Sequence, residues 1–321
     1  MYIRSVSSVP LRFDRCVTLS VVRPLQRLSV LSRKSGIPIL MYHSIAEDVD
    51  DSVHPYYRTV TTPSTFETHM RILHSAGYDA VPLSEAVRML RGNPKADSSL
   101  GAHSDGIESE NMTTAIEASR RVVVVTFDDG FQDFHSTAFP ILDKFGFKAT
   151  VFLTSGCIDG DFITGRACLR KQEIRELAKH DIEFGSHTVT HPQLLNLTKE
   201  QITSELTDSK KAIEDLIGLR VFLFSYPYRF PEEDAAFTRR LSATLTDQGY
   251  SAGVTTVIGL SQIGDNPLFL RRLPMNEADD AELFLAKLEG AYDWLHTGQL
   301  MHKKCRLIMH RYRSRLSNWT A

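Results

Sequence analysis

From Ile37 onward, short apolar runs alternate with amphipathic segments of helical period, and this alternation limits the possible folds more tightly than any other feature. "IPILMYHSI", "AVPL", "VVVVTF", "KATVFLTS", "IEFGSH", "VFLFSYP", "YSAGVTT" and "LFLRRL" read as strands, most of them with apolar residues on both faces. "PSTFETHMRILHSAGY", "SEAVRMLR", "STAFPILDKFG", "KQEIRELAKH", "TKEQITSELTDSKKAIEDLIG", "EEDAAFTRRLSATLTDQG" and "DAELFLAKLEGAYDWL" read as helices. Buried strands separated by helices imply parallel pairing through right-handed crossovers. Seven or so such units in a chain of 321 residues fit a closed or nearly closed β/α barrel, which commonly takes about 250 residues, better than an open sheet.

The rest of the chain divides around this core. Residues 1–36 hold six arginines and a lysine against one acid, Asp14 within the first 34 positions, and are expected to form a basic, disordered arm. The folded domain is placed at 37–300, interrupted by a Ser-, Gly-, Asp- and Asn-rich stretch, 92–119, that reads as a flexible insertion. Residues 301–321 form a basic tail. The apolar stretch "CVTLSVV" runs straight into Arg23 and makes a poor secretory signal, so the expected location is cytoplasmic. No apolar run approaches the roughly 18 residues of a membrane span. A formal charge of -2 gives no global attraction to nucleic acid or to acidic membranes, so binding must be sought in a local site. The four cysteines show no CxxC pairing and read as free thiols.

Four strand ends carry polar residues that fit a single site: "MYHSI", "TFDDG", "GSHTVTH" and "FSYPY". In parallel β/α folds functional groups collect where strands give way to loops. Asp128 and Asp129 close the Val-rich strand, where two adjacent carboxylates repel and one would take up a proton. A divalent cation resolves the conflict, with one carboxylate as ligand and the other as an ionised base. His187 and His191 stand four apart after another strand and supply neutral nitrogen ligands. Asp129, His187 and His191 then make three protein ligands with open positions, the arrangement of a catalytic zinc site, and Asp128 is left to take a proton from water. The same donors accept Co2+, Ni2+ or Fe2+ in place of Zn2+.

At these residues the sequence resembles the polysaccharide deacetylases, the NodB-like family also called carbohydrate esterase family 4. "TFDDG" and "SHTVTHP" are similar to its first two motifs, "FLFSYPY" to its third, and "MYHSI" to the opening strand of the branch acting on exopolysaccharides of N-acetylglucosamine. The resemblance covers roughly residues 37–288. It implies a distorted (β/α)7-type barrel, one divalent metal ion, an N-acetylated carbohydrate substrate, and hydrolysis that releases acetate. It further implies Asp128 as base, Asp129, His187 and His191 as metal ligands, and Tyr228 as a backbone donor to the oxyanion. Two departures stand out. Where many members have an arginine that orients the base, this chain has Ser225, and the adjacent Arg271 and Arg272 are candidate substitutes, with Arg271 put first. The late histidine acid of many members has no counterpart, and His43 is expected to serve as acid or to orient a ligand. Amide hydrolysis of a non-sugar substrate, and sugar binding without turnover, stand as alternatives.

Overall fold

The structure is a computed structural model that describes residues 12–32, 35–48, 53, 58–91 and 121–300. Its strands are β1 (Ile39–Tyr42), β2 (Ser44–Ile45), β3 (Val60–Thr61), β4 (Tyr78–Ala80), β5 (Arg121–Phe127), β6 (Thr150–Leu153), β7 (Glu183–Ser186), β8 (Leu223–Ser225), β9 (Ala252–Ile258) and β10 (Leu270–Pro274). Seven of them close a parallel barrel in the order β1-β10-β9-β8-β7-β6-β5, with β5 returning to β1. The closing register runs from Ile39 opposite Val124 to Tyr42 opposite Phe127. β4 lies on the entering end of β5, opposite residues 121–123, so it extends the sheet without joining the ring. The ring is irregular: β7 meets β8 at one register pair, Ser186 and Phe224, and the register of β9 against β10 shifts between Leu270 and Arg272. This is the expected distorted seven-stranded barrel.

Local chemistry explains the crossovers. The helix Pro63–Ser75 opens on Thr62, whose side chain accepts from the Thr65 N–H, with proline at the first helical position where a missing N–H costs nothing. Thr198 and Gln201 exchange reciprocal bonds at the start of the long helix Lys199–Ile217, and Gly218 ends it at a φ of 72° that favours glycine. Helix Ala281–Leu288 stops well short of Trp294, because Gly290 takes a φ of 76° and turns the chain.

Two apolar layers hold the barrel. Side chains of alternate parity along the strands form an inner cluster, Ile39, Val122, Val124, Phe152, Leu223, Ala252, Val254 and Leu270, plugged from below by Leu83, Ala86, Val87 and Leu90 of helix Leu83–Leu90. The opposite parity, including Leu40, Val123, Val125, Phe127, Phe184, Phe224 and Leu273, packs outward against the helices.

The expected disordered arm is not what residues 12–32 form. Helix Phe13–Val17, a π-helical turn Thr18–Val22 and helix Arg23–Arg27 follow one another against the last helix of the barrel. Polar side chains dock them: Arg12 pairs with Asp14 at 2.6 Å and Asp279 at 3.0 Å, the Tyr292 hydroxyl donates to Asp14 at 2.7 Å, and the Trp294 indole donates to Thr18. A composition argument, which weighs apolar content, misses an interface made of buried charges. Residues 1–11, the proposed insertion 92–119 and the tail 301–321 lie outside the described residues. Among the described residues Cys16, Cys157 and Cys168 are free thiols, and no helix is long and apolar enough to cross a membrane.

Candidate metal centre and active site

Strand parity carries the chemistry inward. On β5 the inward residues are Val122, Val124 and Thr126, so the next of the same parity beyond the strand is Asp128. On β8 Leu223 is followed by Ser225, and on β10 Leu270 by Arg272. The barrel interior is therefore apolar at its base and polar at the ends where the strands leave it.

Asp128 and Arg272 form the centre of this polar layer. The guanidinium is fully buried and donates a fork to the Asp128 carboxylate, at 2.8 Å to Oδ1 and 2.7 Å to Oδ2. Its remaining hydrogens reach the Thr255 carbonyl at 2.9 Å, Thr126 Oγ1 at 3.2 Å and Ser225 Oγ at 3.1 Å, so all five donors are used. Ser225 Oγ in turn donates to Asp128 Oδ1 at 3.0 Å, and Thr126 Oγ1 to the Leu40 carbonyl at 2.7 Å. Burial by itself would raise the Asp128 pKa; the charges of Arg272 and His187 and the Arg272 hydrogen bonds outweigh it and hold the carboxyl far below the usual carboxylate range.

Of the two adjacent arginines on β10, the one that pairs with Asp128 is Arg272, not the Arg271 put first from the sequence. Arg271 has the opposite parity, is half-buried, and lies near Gly259, away from Asp128. The small Ser225 side chain leaves room for the guanidinium and bridges it to the carboxylate.

Asp129, His187 and His191 come together beside Asp128, with one ligand atom of each within 4.8 Å of the others. The Nε2 atoms of His187 and His191 stand 3.4 and 3.5 Å from Asp129 Oδ1. His187 Nδ1 is 2.8 Å from the Ser225 carbonyl, which can only accept, so the proton sits on Nδ1 and the Nε2 lone pair of the neutral ring faces Asp129. Asp129 Oδ1 is buried and accepts no hydrogen bond among the described residues. A buried carboxylate oxygen without a donor, facing two imidazole nitrogens, fits a divalent cation of the zinc type.

The electrostatics agree. Burial would raise Asp129, but the adjoining His187 side chain, and with it His43 and His191, pull it below its ordinary value. His187 is pulled down by burial and, more strongly, up by the negative charges of Asp128 and Asp129, for a net rise. His191 is pushed down to about 4, by burial first and then by the charge of His187, so it offers a neutral nitrogen at physiological pH.

Backbone conformation aims these groups. Asp129 has a φ of 70° and Gly130 one of 73°, a turn that sends the chain out of the barrel directly after the strand. Thr188 at 70°, His191 at 54° and Tyr228 at 57° are also in the left-handed region, which is costly for a β-branched threonine. The histidine loop has specific supports. His191 N–H donates to Thr188 Oγ1 at 3.0 Å, and Glu205 on the helix behind accepts from the Val189 and Thr190 N–H groups at 2.8 and 3.0 Å and from the Thr190 hydroxyl at 2.7 Å. Nothing in the sequence pattern had singled out Glu205; its only advance signal is an acidic residue on a helix that follows the loop it pins.

The remaining candidates divide. His43 is half-buried between β1 and β2, close enough for its charge to lower Asp128 and Asp129. Tyr228 places its ring 4.4 Å from the His191 ring and stays 46% exposed, while nothing among the described residues accepts from its backbone N–H. Phe131 is buried edge-on against Phe162, which in turn packs against His191. His296 Nε2 lies 2.7 Å from Glu232 Oε2.

Comparison with known proteins follows the same lines. Residues 115–252 match the sequence profile described as polysaccharide deacetylase. The chain is 31% identical over 260 residues to YxkH of Bacillus subtilis (strain 168), which bears the polysaccharide deacetylase name, covering 80% of this chain and 78% of that one. The fold superposes on the Streptococcus pyogenes deacetylase PplD, solved in complex with acetate, with a TM-score of 0.62 and 25% identity, covering 79% of this chain and 98% of that one. IcaB from Ammonifex degensii shares the fold with a TM-score of 0.62 and 21% identity, covering 80% and 98%. A relative alike over four fifths of the chain, on the barrel that strand parity predicts, establishes that this chain belongs to the polysaccharide deacetylases, hydrolases of carbon–nitrogen bonds in acetylated polysaccharides.

Proposed function

We propose that the protein is a metal-dependent deacetylase that removes N-acetyl groups from poly- or oligosaccharides containing N-acetylglucosamine, releasing acetate and leaving a free amine. The observation that carries this reading is a buried, ionised Asp128 next to Asp129 Oδ1, a buried oxygen that accepts no hydrogen bond and faces two histidines. Asp129, His187 and His191 hold the metal, with zinc favoured by the donor set and cobalt, nickel or iron able to replace it. When bound, a divalent cation supplies Lewis acidity and makes water a readier proton donor.

The chain's own groups divide the remaining work. Asp128 takes the proton from the attacking water. The Arg272 fork holds its pKa down, which favours the ionised carboxylate that this role needs. The Tyr228 N–H donates to the carbonyl oxygen as negative charge develops there. His43 gives a proton to the nitrogen as the carbon–nitrogen bond breaks. The exposed Tyr228 ring provides an apolar face at the rim for a sugar ring.

The test is acetate release from N-acetylglucosamine oligomers by zinc-loaded protein, with metal content measured in parallel. Release that is lost in Asp128→Asn with zinc retained, and lost in His187→Ala together with zinc, supports the roles of Asp128 and of the metal ligand. A zinc-loaded wild type that binds the oligomers without releasing acetate would overturn the catalytic reading, and release only from non-sugar acetamides would overturn the substrate.

A further inference from the structure

The segment Phe13–Arg27 is amphipathic in the inverse sense. Its buried face is polar: Arg12, Asp14, Thr18 and Gln26 are at most 9% exposed and bind the barrel through hydrogen bonds and ion pairs. Its outward face is apolar: Phe13 is 70% exposed, Val21 50% and Leu28 73%, followed by Val30 at 66% and Leu31 at 41%. Phe13, Val21 and Leu28 recur at near-helical spacing, so they form one stripe along the side of the barrel. A folded chain gains nothing by turning five large apolar side chains to water while burying four polar ones.

Charge identifies the occupant of that stripe. Arg15 is matched by Asp280 and Glu282, and Arg23 by Glu289, so the carboxylates bordering the stripe are already paired. Arg27 is exposed with no carboxylate partner among the described residues, and residues 24–34 carry Arg27, Arg33 and Lys34 with no acid. A second copy packed on the stripe about a two-fold axis would bring two such basic runs together, which is repulsive. The tail 301–321, with six lysines and arginines and no acid, has the same sign. An anionic bilayer surface meets both requirements, since its acyl boundary accepts the apolar stripe and its headgroups accept the cations.

We propose that the Phe13–Leu31 face is a peripheral membrane-binding surface that seats the barrel sideways on an anionic lipid bilayer. The full-length chain is to be co-sedimented with vesicles of phosphatidylcholine alone and with vesicles in which about a third of the lipid is phosphatidylglycerol. The bound fraction is expected to be at least about tenfold larger on the anionic vesicles and to fall with salt. The triple substitution Phe13→Ser, Val21→Ser and Leu28→Ser is expected to lower binding about tenfold or more while keeping the wild-type melting temperature and acetate release from soluble oligomers. Arg27→Glu, a single change at an exposed position, is expected to lower binding to anionic vesicles and to leave binding to neutral ones unchanged. A wild type that stays in the supernatant with both lipids, or a triple variant that binds as well as wild type, overturns the proposal. So does a wild-type dimer, dissociated by the triple substitution, that shows no affinity for lipid.

Discussion

Replacing Arg272 by methionine separates the two adjacent arginines and measures what the buried fork contributes. Methionine fills much of the volume but donates no hydrogen bond, so Asp128 loses both bonds of the fork and the Thr255 carbonyl loses its donor. Removing one partner of a buried ion pair strands the other charge, and the loss is expected to be about 3–5 kcal/mol at neutral pH. The pH dependence gives a distinctive signature. In the wild type the Asp128 pKa is depressed, so its stabilising contribution is fully present above the unfolded carboxyl value near 4 and is lost only as pH falls through the folded value far below that. In the variant, burial without Arg272 raises the folded pKa, and the variant gains stability as pH falls from 7 towards about 4. The gap between the two proteins therefore narrows on acidification. Urea unfolding at several pH values reads the gap directly, and the acid limb of the activity profile should move to higher pH with a rate loss of about 10²-fold or more at neutral pH. Arg271→Met is the control, expected to lie within about 0.5 kcal/mol of wild type. A loss below about 1 kcal/mol in Arg272→Met, with an unchanged pH profile, would refute the assignment.

Other outcomes follow from the same geometry. Arg272→Met combined with Asp128→Asn should recover much of the stability lost by the single arginine change, since neither charge is then stranded; a double-mutant cycle reads the coupling. Glu205→Ala removes the acceptor of three hydrogen bonds in the histidine loop and should weaken zinc binding about 10- to 100-fold in a chelator competition, with the circular dichroism spectrum retained. Gly185→Ala places a methyl 2.6 Å from the buried Phe152 ring and 3.0 Å from the Leu223 carbonyl, so it should cost about 1–3 kcal/mol or more and depress the melting temperature.

The sequence made the barrel legible because both of its periods are visible: helices of ordinary length alternate with strands whose two faces are apolar. It made most of the centre legible for a similar reason, since Asp128 and Asp129 follow an unbroken strand and leave no doubt about where the chain exits. Parity failed at β10. In "LFLRRLP" Leu270 is buried inside the barrel and Leu273 outside it, so the flanking leucines are satisfied on either assignment. The register shift between Leu270 and Arg272 removes the remaining clue from strand pairing. The N-terminal segment was misread for a different reason. Its docking rests on Arg12 pairing with Asp279, 267 positions away, and no local pattern reports such a pairing.

The closure of the ring through the first strand has a consequence for how this activity can be divided or transplanted. The stretch that matches the family profile, 115–252, includes Asp128, Asp129, His187, His191 and Tyr228, yet it omits both β1 and β10. An excised fragment of that extent would retain every proposed metal ligand while exposing two raw sheet edges and leaving Asp128 buried without its cation. The hydrolytic apparatus is therefore not a cassette. On the proposed mechanism it is complete only when residues from both ends of the barrel, His43 and Arg272, have arrived, so competence for chemistry would coincide with closure of the fold.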